Sequence, residues 1–450
     1  MTRRGRNHQL AALLAEADWS AAQLARRVNA LGGARGLRLR YDRTAVAHWL
    51  AGTRPRRRVA DVVAEVLSQA TGRTVTPDDT GLAPLARARG EVLSPAVDRT
   101  DPVRRLLTLC RTDIHPGLRS VLLNSPYITD FRPRWPLPPG DDAEDLPTAH
   151  TPWEAHSLEE AVTLFHDLAA RHPGPRTRAA AAAFIAGEAG PGLFTQTRSP
   201  SHAALLVPLS QLAHLLGSMS GAAGHDGLAQ DYFRTACALS ARAGDHITYA
   251  ITVRSMSTQA HELGHPMHAL ELAERAAMLA PRETPPEALA YLLAGRALAR
   301  AAQGLGRGAR DDLRQAERHH ARAGEDSAPG AFTAYPRAGL DYQRARTLLV
   351  LGDRTGALHA FQESLEHRDA EHRRARALSH ARYAEALLSV GHLDAACAQW
   401  RDCLALLPTL PPHQARHILR TVVRRLYPYR HHGSAQHVLL LVRAQLTTPR

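Results

Sequence analysis

Apolar residues recur at helical spacing from the start of the chain. Leu10, Leu13, Leu14 and Ala17 share one face of a helix predicted over residues 8–17. Ser20 is placed to cap a second helix, Ala21 to Asn29, with Leu24 and Val28 inward. After a stretch rich in Gly and Arg, residues 32–40, a third helix presents Val46, Trp49 and Leu50 on one side and Thr44, His48 and Ala51 on the other. Gly52 supplies a left-handed stop and Pro55 prevents resumption. A fourth helix, Val59 to Gln69, buries Val62, Val63, Val66 and Leu67.

Short helices with a basic third member read as a helix-turn-helix domain over residues 1–82. The connection before the third helix is about a dozen residues, where the usual turn has about three or four. Arg43, Thr44 and His48 are the candidate base-reading residues. Arg38 and Arg40 in the loop and Arg54, Arg56, Arg57 and Arg58 beyond the helix are the candidate phosphate contacts.

Residues 83–156 read as a Pro-rich linker with a short helix near 101–111, the part after His115 lying extended over a neighbouring surface. Helices resume near Ser157, a candidate cap for Leu158 to Ala170. The long apolar run from His202 to Met219 carries His202, Pro208, Gln211 and His214, so it reads as a core helix and not a membrane span.

Residues 157–450 then repeat. A glycine is followed five residues later by alanine: Gly224 and Ala229, Gly264 and Ala269, Gly304 and Ala309, Gly352 and Ala357, Gly391 and Ala396. Each copy continues with a further residue four on and a small one three beyond that. On the preceding helices Gly217, Ser257, Ala297, Ala345 and Ala384 keep a small position. Small residues let helices of a pair approach closely, and the glycine turns the chain between them. The pattern resembles the tetratricopeptide repeat, elongated beyond its period of about 34 residues, with an insertion in 321–336 and C-terminal capping helices. The fold expected is all-α: a helix-turn-helix bundle followed by a tetratricopeptide-like α-solenoid.

Composition sharpens the first domain. The formal charge is +13, and residues 1–75 hold 14 Arg against 5 Asp and Glu, so +9 of it lies in the first sixth of the chain. A basic end on a nearly balanced body points to a nucleic-acid module. The chain has no lysine, so all 56 basic residues are arginine, and arginine placement carries more weight than arginine number. Cys110, Cys237, Cys397 and Cys403 have no metal-ligand spacing and suit a reduced cytoplasm.

Chemistry is weakly signalled. His261, Glu262 and His265 match HExxH, with His268 as a third candidate ligand, but Gly264 and Pro266 bracket the second histidine with a helix break. Gly-His recurs at 224–225 and 391–392, so the stretch reads as a repeat turn. His319, His320, His431 and His432 read as solvated. No Walker loop, nucleophile triad or carboxylate pair stands out. The expectation is therefore no enzyme, no metal and no cofactor.

The residues Arg40–Arg56 and Val75–Leu82, then Gly227–Phe233, Ser255–Ala260 with Leu263–His265, and Arg424–Tyr429, resemble a family of actinobacterial regulators. That family joins an N-terminal helix-turn-helix domain to a tetratricopeptide body and includes negative regulators of streptomycete differentiation. The resemblance implies a cytoplasmic, nucleoid-associated transcription factor acting on sporulation or secondary metabolism. The partners expected are double-stranded DNA, a second copy in a homodimer through the solenoid, and a peptide or small-molecule effector in its groove, with no membrane. The alternative is a signalling adaptor whose solenoid captures a peptide or protein segment, DNA binding being secondary.

Overall fold

A computed structural model describes residues 7–34, 37, 39–53, 55, 57–71, 75, 80, 82, 101–129, 131, 155–172, 174–189, 200–323, 330 and 332–447. The regular structure among these residues is helical, with no strand among them. The chain divides into two units, 1–100 and 101–450.

The first unit is a bundle of α1 (His8–Glu16), α2 (Ala21–Ala34), α3 (Arg43–Leu50) and α4 (Arg57–Thr71). The residues picked out by helical spacing close its core: Leu10, Leu24, Val28, Val46, Val63 and Leu67 are fully buried, and Val75 and Leu82 complete it. Ser20 caps α2 through a reciprocal pair, its N–H donating to Gln23 Oε1 at 2.7 Å and its Oγ accepting from Gln23 N–H at 3.3 Å.

The α2–α3 connection is shorter than the sequence suggests, because α2 runs on through Gly32 and Gly33. Gly32 is buried beside Leu39, and a Cβ there would overlap the leucine side chain. After α2, Leu37, Leu39 and Tyr41 alternate inward against the core. Leu37, Leu39 and Tyr41 thus close one side of the bundle.

The second unit begins earlier than residue 157. Asp101 caps α5 (Pro102–Ile114) by accepting from Arg104 N–H at 3.3 Å, and it also pairs with Arg242. Val103, Leu106, Leu107 and Cys110 of α5 are buried. A short α6 (Arg119–Leu123) follows, and the chain then crosses the helix that carries Gln230. There the Gln230 side chain donates to Ile128 O at 2.7 Å and accepts from Ile128 N–H at 2.8 Å. So residues 101–129 and 131 pack as part of the solenoid unit, while the remaining residues of 83–154 in the expected linker lie outside the described residues, Leu82 being the last described before them. α7 (Ala155–Arg171) starts before Ser157, leaving that serine inside the first turn instead of capping it. α8 (Pro175–Phe184) ends in a π-turn at Ile185–Ala189.

Five helix pairs follow: α9 (Pro200–Ala222) with α10 (Asp226–Ala243), α11 (His246–Glu262) with α12 (Pro266–Leu279), α13 (Pro286–Ala302) with α14 (Gly306–Ala321), α15 (Arg337–Val350) with α16 (Arg354–Glu366), and α17 (Arg373–Ser389) with α18 (Leu393–Leu406). Gly224, Gly264, Gly304, Gly352 and Gly391 sit in the five turns, all left-handed at φ between +75° and +88°. Ala229, Ala269, Ala309, Ala357 and Ala396 are each 0% exposed. Where Ser257 occupies the small position on α11, its Oγ donates to Ala269 O at 2.6 Å, which shows how close the paired helices run.

α19 (Pro412–Leu426) and α20 (Gly433–Thr447) close the array, burying Ile418, Val422, Leu426, Val438 and Val442 around Trp400. The array curls back on itself: the turn at Gly224 abuts His413, and α7 packs on α9 and reaches α17. In the insertion before α15, Phe332 meets His214 edge to face at 5.0 Å and Tyr335 meets Tyr291 at 5.2 Å. His320 is not simply solvated, since its Nε2 lies 3.0 Å from Tyr335 O. No helix among the described residues is long and apolar enough to cross a membrane.

Candidate nucleic-acid interface

Three local devices set α3. Asp42 caps it, accepting from Ala45 N–H at 2.8 Å. Asn29 of α2 clamps the backbone just before it, donating to Tyr41 O at 2.7 Å and accepting from Tyr41 N–H at 2.9 Å. The Tyr41 ring then stands edge-on to Trp49 at 5.0 Å. At the far end Gly52 is left-handed, φ +98°, and Asn7 N–H donates to Leu50 O at 2.8 Å. The helix is therefore tied to α2 at its start and to the α1 cap at its end.

With Val46 0% and Trp49 4% exposed on the inner face, the outer face consists of Arg43, Thr44, Ala47 and His48, all exposed. The three candidate base-reading residues thus share one solvent face around a small alanine, which leaves the helix slim enough to enter a major groove. Arg40 is exposed just before the cap, and Arg26 and Arg27 are exposed on α2. α3 itself carries no Asp or Glu. Arg38, Arg54 and Arg56 lie outside the described residues, and Arg57 and Arg58 open α4. Asn29 and Tyr41, which fix where α3 sits, were not singled out from the sequence. An Asn twelve residues before an aromatic carries no local signal, and only the folded clamp shows its use.

Among the described residues, the other chemistry that the sequence signals is not assembled. His261 lies in the last turn of α11 and His265 precedes α12, with Gly264 left-handed between them, so the HExxH match is split by the turn. Among the described residues, no three His, Cys, Asp or Glu side chains come together as a metal set. All four cysteines are buried, and burial pushes the Cys397 thiol up to about 11 and Cys403 to about 12, so at neutral pH neither is a thiolate.

Fold and surface together define an all-α chain in which a small basic helical bundle precedes a helix-pair solenoid. The family described as SP15 N-terminal domain matches residues 10–83, a span that begins within α1 and ends just past the core residue Leu82. No curated protein matches the chain.

Proposed function

We propose that this chain is a sequence-specific DNA-binding regulator whose α3 enters the major groove. The observation that carries the reading is the outer face of α3, where Arg43, Thr44 and His48 surround Ala47 on a helix locked from behind by Val46 and Trp49. Arginine suits guanine, threonine either base edge, and neighbouring arginines the phosphates. One small module buries too little surface for high specificity, so two copies reading two half-sites are expected. A role in development or secondary metabolism rests on the family resemblance alone.

The test is selection of DNA from a random pool by the full chain, followed by sequencing. Arg43→Ala with His48→Ala should flatten the selected motif. Arg40→Gln should keep the motif and reduce the salt slope of log affinity by about 0.9, one phosphate contact. An unchanged motif in the double variant would overturn the reading. A tightly co-purifying protein with no selected motif would favour the adaptor alternative.

A further inference from the structure

Two clefts of similar size open on the second unit, and they differ in charge. One, of about 640 Å³, is edged by Glu159 and Glu160. The other, of about 680 Å³, is built from three places far apart in sequence: the corner between α7 and α8, the start of α17, and the segment Pro408–Pro412. It presents Arg171, His172, Arg176 and Arg373 against a single carboxylate, Glu371. Glu371 pairs with Arg171 at 3.1 Å, but the glutamate is 63% exposed, so the pair neutralises little. Arg176 and Arg373 have no ion-pair partner among the described residues.

The positions of these two arginines work against stability. Arg176 lies in the first turn of α8 and Arg373 opens α17, and neither helix has a carboxylate in its first turn. A cation at the positive end of a helix is disfavoured, and here two such cations face a common space with a third. An anion in the cleft reverses the sign of each of these interactions. Arginine also matches phosphate oxygens with two parallel donors. Beside the cations, Pro175, Leu410, Pro411 and Pro412 form an apolar wall, and the volume falls within the range of small-molecule sites.

We propose that this cleft binds a small phosphorylated organic molecule, its phosphate held by Arg171, Arg176 and Arg373 and its organic part resting on the proline wall. Such a ligand bridges α8, α17 and the segment leading into α19, and so fastens the helices that precede the first pair to the last pair and the closing helices. The inference stands whether or not α3 reads DNA.

The test is calorimetric titration and thermal unfolding of the full chain with ADP, pyrophosphate and citrate at fixed ionic strength. ADP and pyrophosphate should bind and raise the unfolding temperature, and citrate should do so far less. Arg176→Gln with Arg373→Gln should weaken ADP binding by about tenfold or more, the loss of one charge-assisted bond or greater. Both positions are exposed and have no ion-pair partner among the described residues, so the unliganded variant should melt no lower than the parent. Arg416→Gln with Arg420→Gln, exposed on α19 outside the cleft, should leave ADP binding unchanged. No binding of ADP or pyrophosphate, equal binding of citrate, undiminished binding by the cleft variant, or an equal loss in the α19 variant would each overturn the assignment.

Discussion

At Gly227, in the first turn of α10, a side chain would run into the backbone carbonyl of Ser125. The segment at Ser125 and Pro126 reaches α10 only because that position is bare. Gly264 poses the opposite case: its φ is +82°, and a Cβ there meets nothing within 4 Å. Gly264→Ala should cost about 1–2 kcal/mol, the strain of a left-handed alanine, and leave the packing intact. Gly227→Ala would favour the helix itself, yet it must lift the crossing segment off. It should therefore expose 125–131 to protease and break the stack of Tyr127 on His265, 5.7 Å apart and 4° from parallel. Limited proteolysis beside thermal unfolding distinguishes the two, and equal protease resistance in both variants would refute the close-approach argument.

Among elements, what was legible was whatever repeats or alternates within about one helix. The alanines five after each turn glycine marked the second helix of every pair, and all five are buried where their spacing placed them. The face of α3 was legible for the same reason, since Val46 and Trp49 betray its inner side. The membership of α5 in the solenoid unit was not. It depends on partners remote in sequence: Asp113 of α5 accepts from Arg178 of α8 at 2.8 Å and from Tyr232 of α10 at 3.2 Å, across separations of 65 and 119 residues. The continuation of α2 through two glycines was equally hidden, because local propensity argues against it and only the fit of Leu39 on Gly32 explains it. The Asp113–Arg178 pair is 1% exposed on both sides, so its two halves depend on each other. Arg178→Met should cost about 3 kcal/mol by leaving the buried carboxylate to Tyr232 and to Arg119, whose Nε is 3.7 Å from Asp113 Oδ1, whereas adding Asp113→Leu should recover much of that loss. Chemical denaturation of the single and double variants measures the difference, and a double variant no more stable than the single would show that α5 is held by packing alone.

For the whole molecule, histidine makes stability depend on acidity. His214 is 7% exposed, with Nδ1 3.1 Å from Thr252 Oγ1 and its ring against Phe233 and Phe332. Burial above all, then His166 and Arg254, brings its pKa from 6.5 down to about 3. His166, His225, His261 and His380 are lowered as well, each chiefly by burial. The unfolded chain therefore binds protons that the folded chain refuses. The stabilising contribution of His214 is complete above about pH 6.5 and is lost progressively as pH falls toward 3, at up to about 1.4 kcal/mol per pH unit for this one group. These five residues lie on α7, α9, α11 and α17 and in the turn before α10, so acidification loosens the solenoid at several pairs together. The midpoint of urea unfolding should fall between pH 6.5 and 4. His214→Gln keeps a neutral polar side chain beside Thr252 and removes one of the refused protons, so its midpoint should fall less steeply over the same range. Carboxylates titrate alike in both proteins, which makes the difference in slope specific to residue 214. Identical slopes would mean that the imidazole already accepts its proton in the folded state, and that its enclosure by Phe233 and Phe332 opens readily to water.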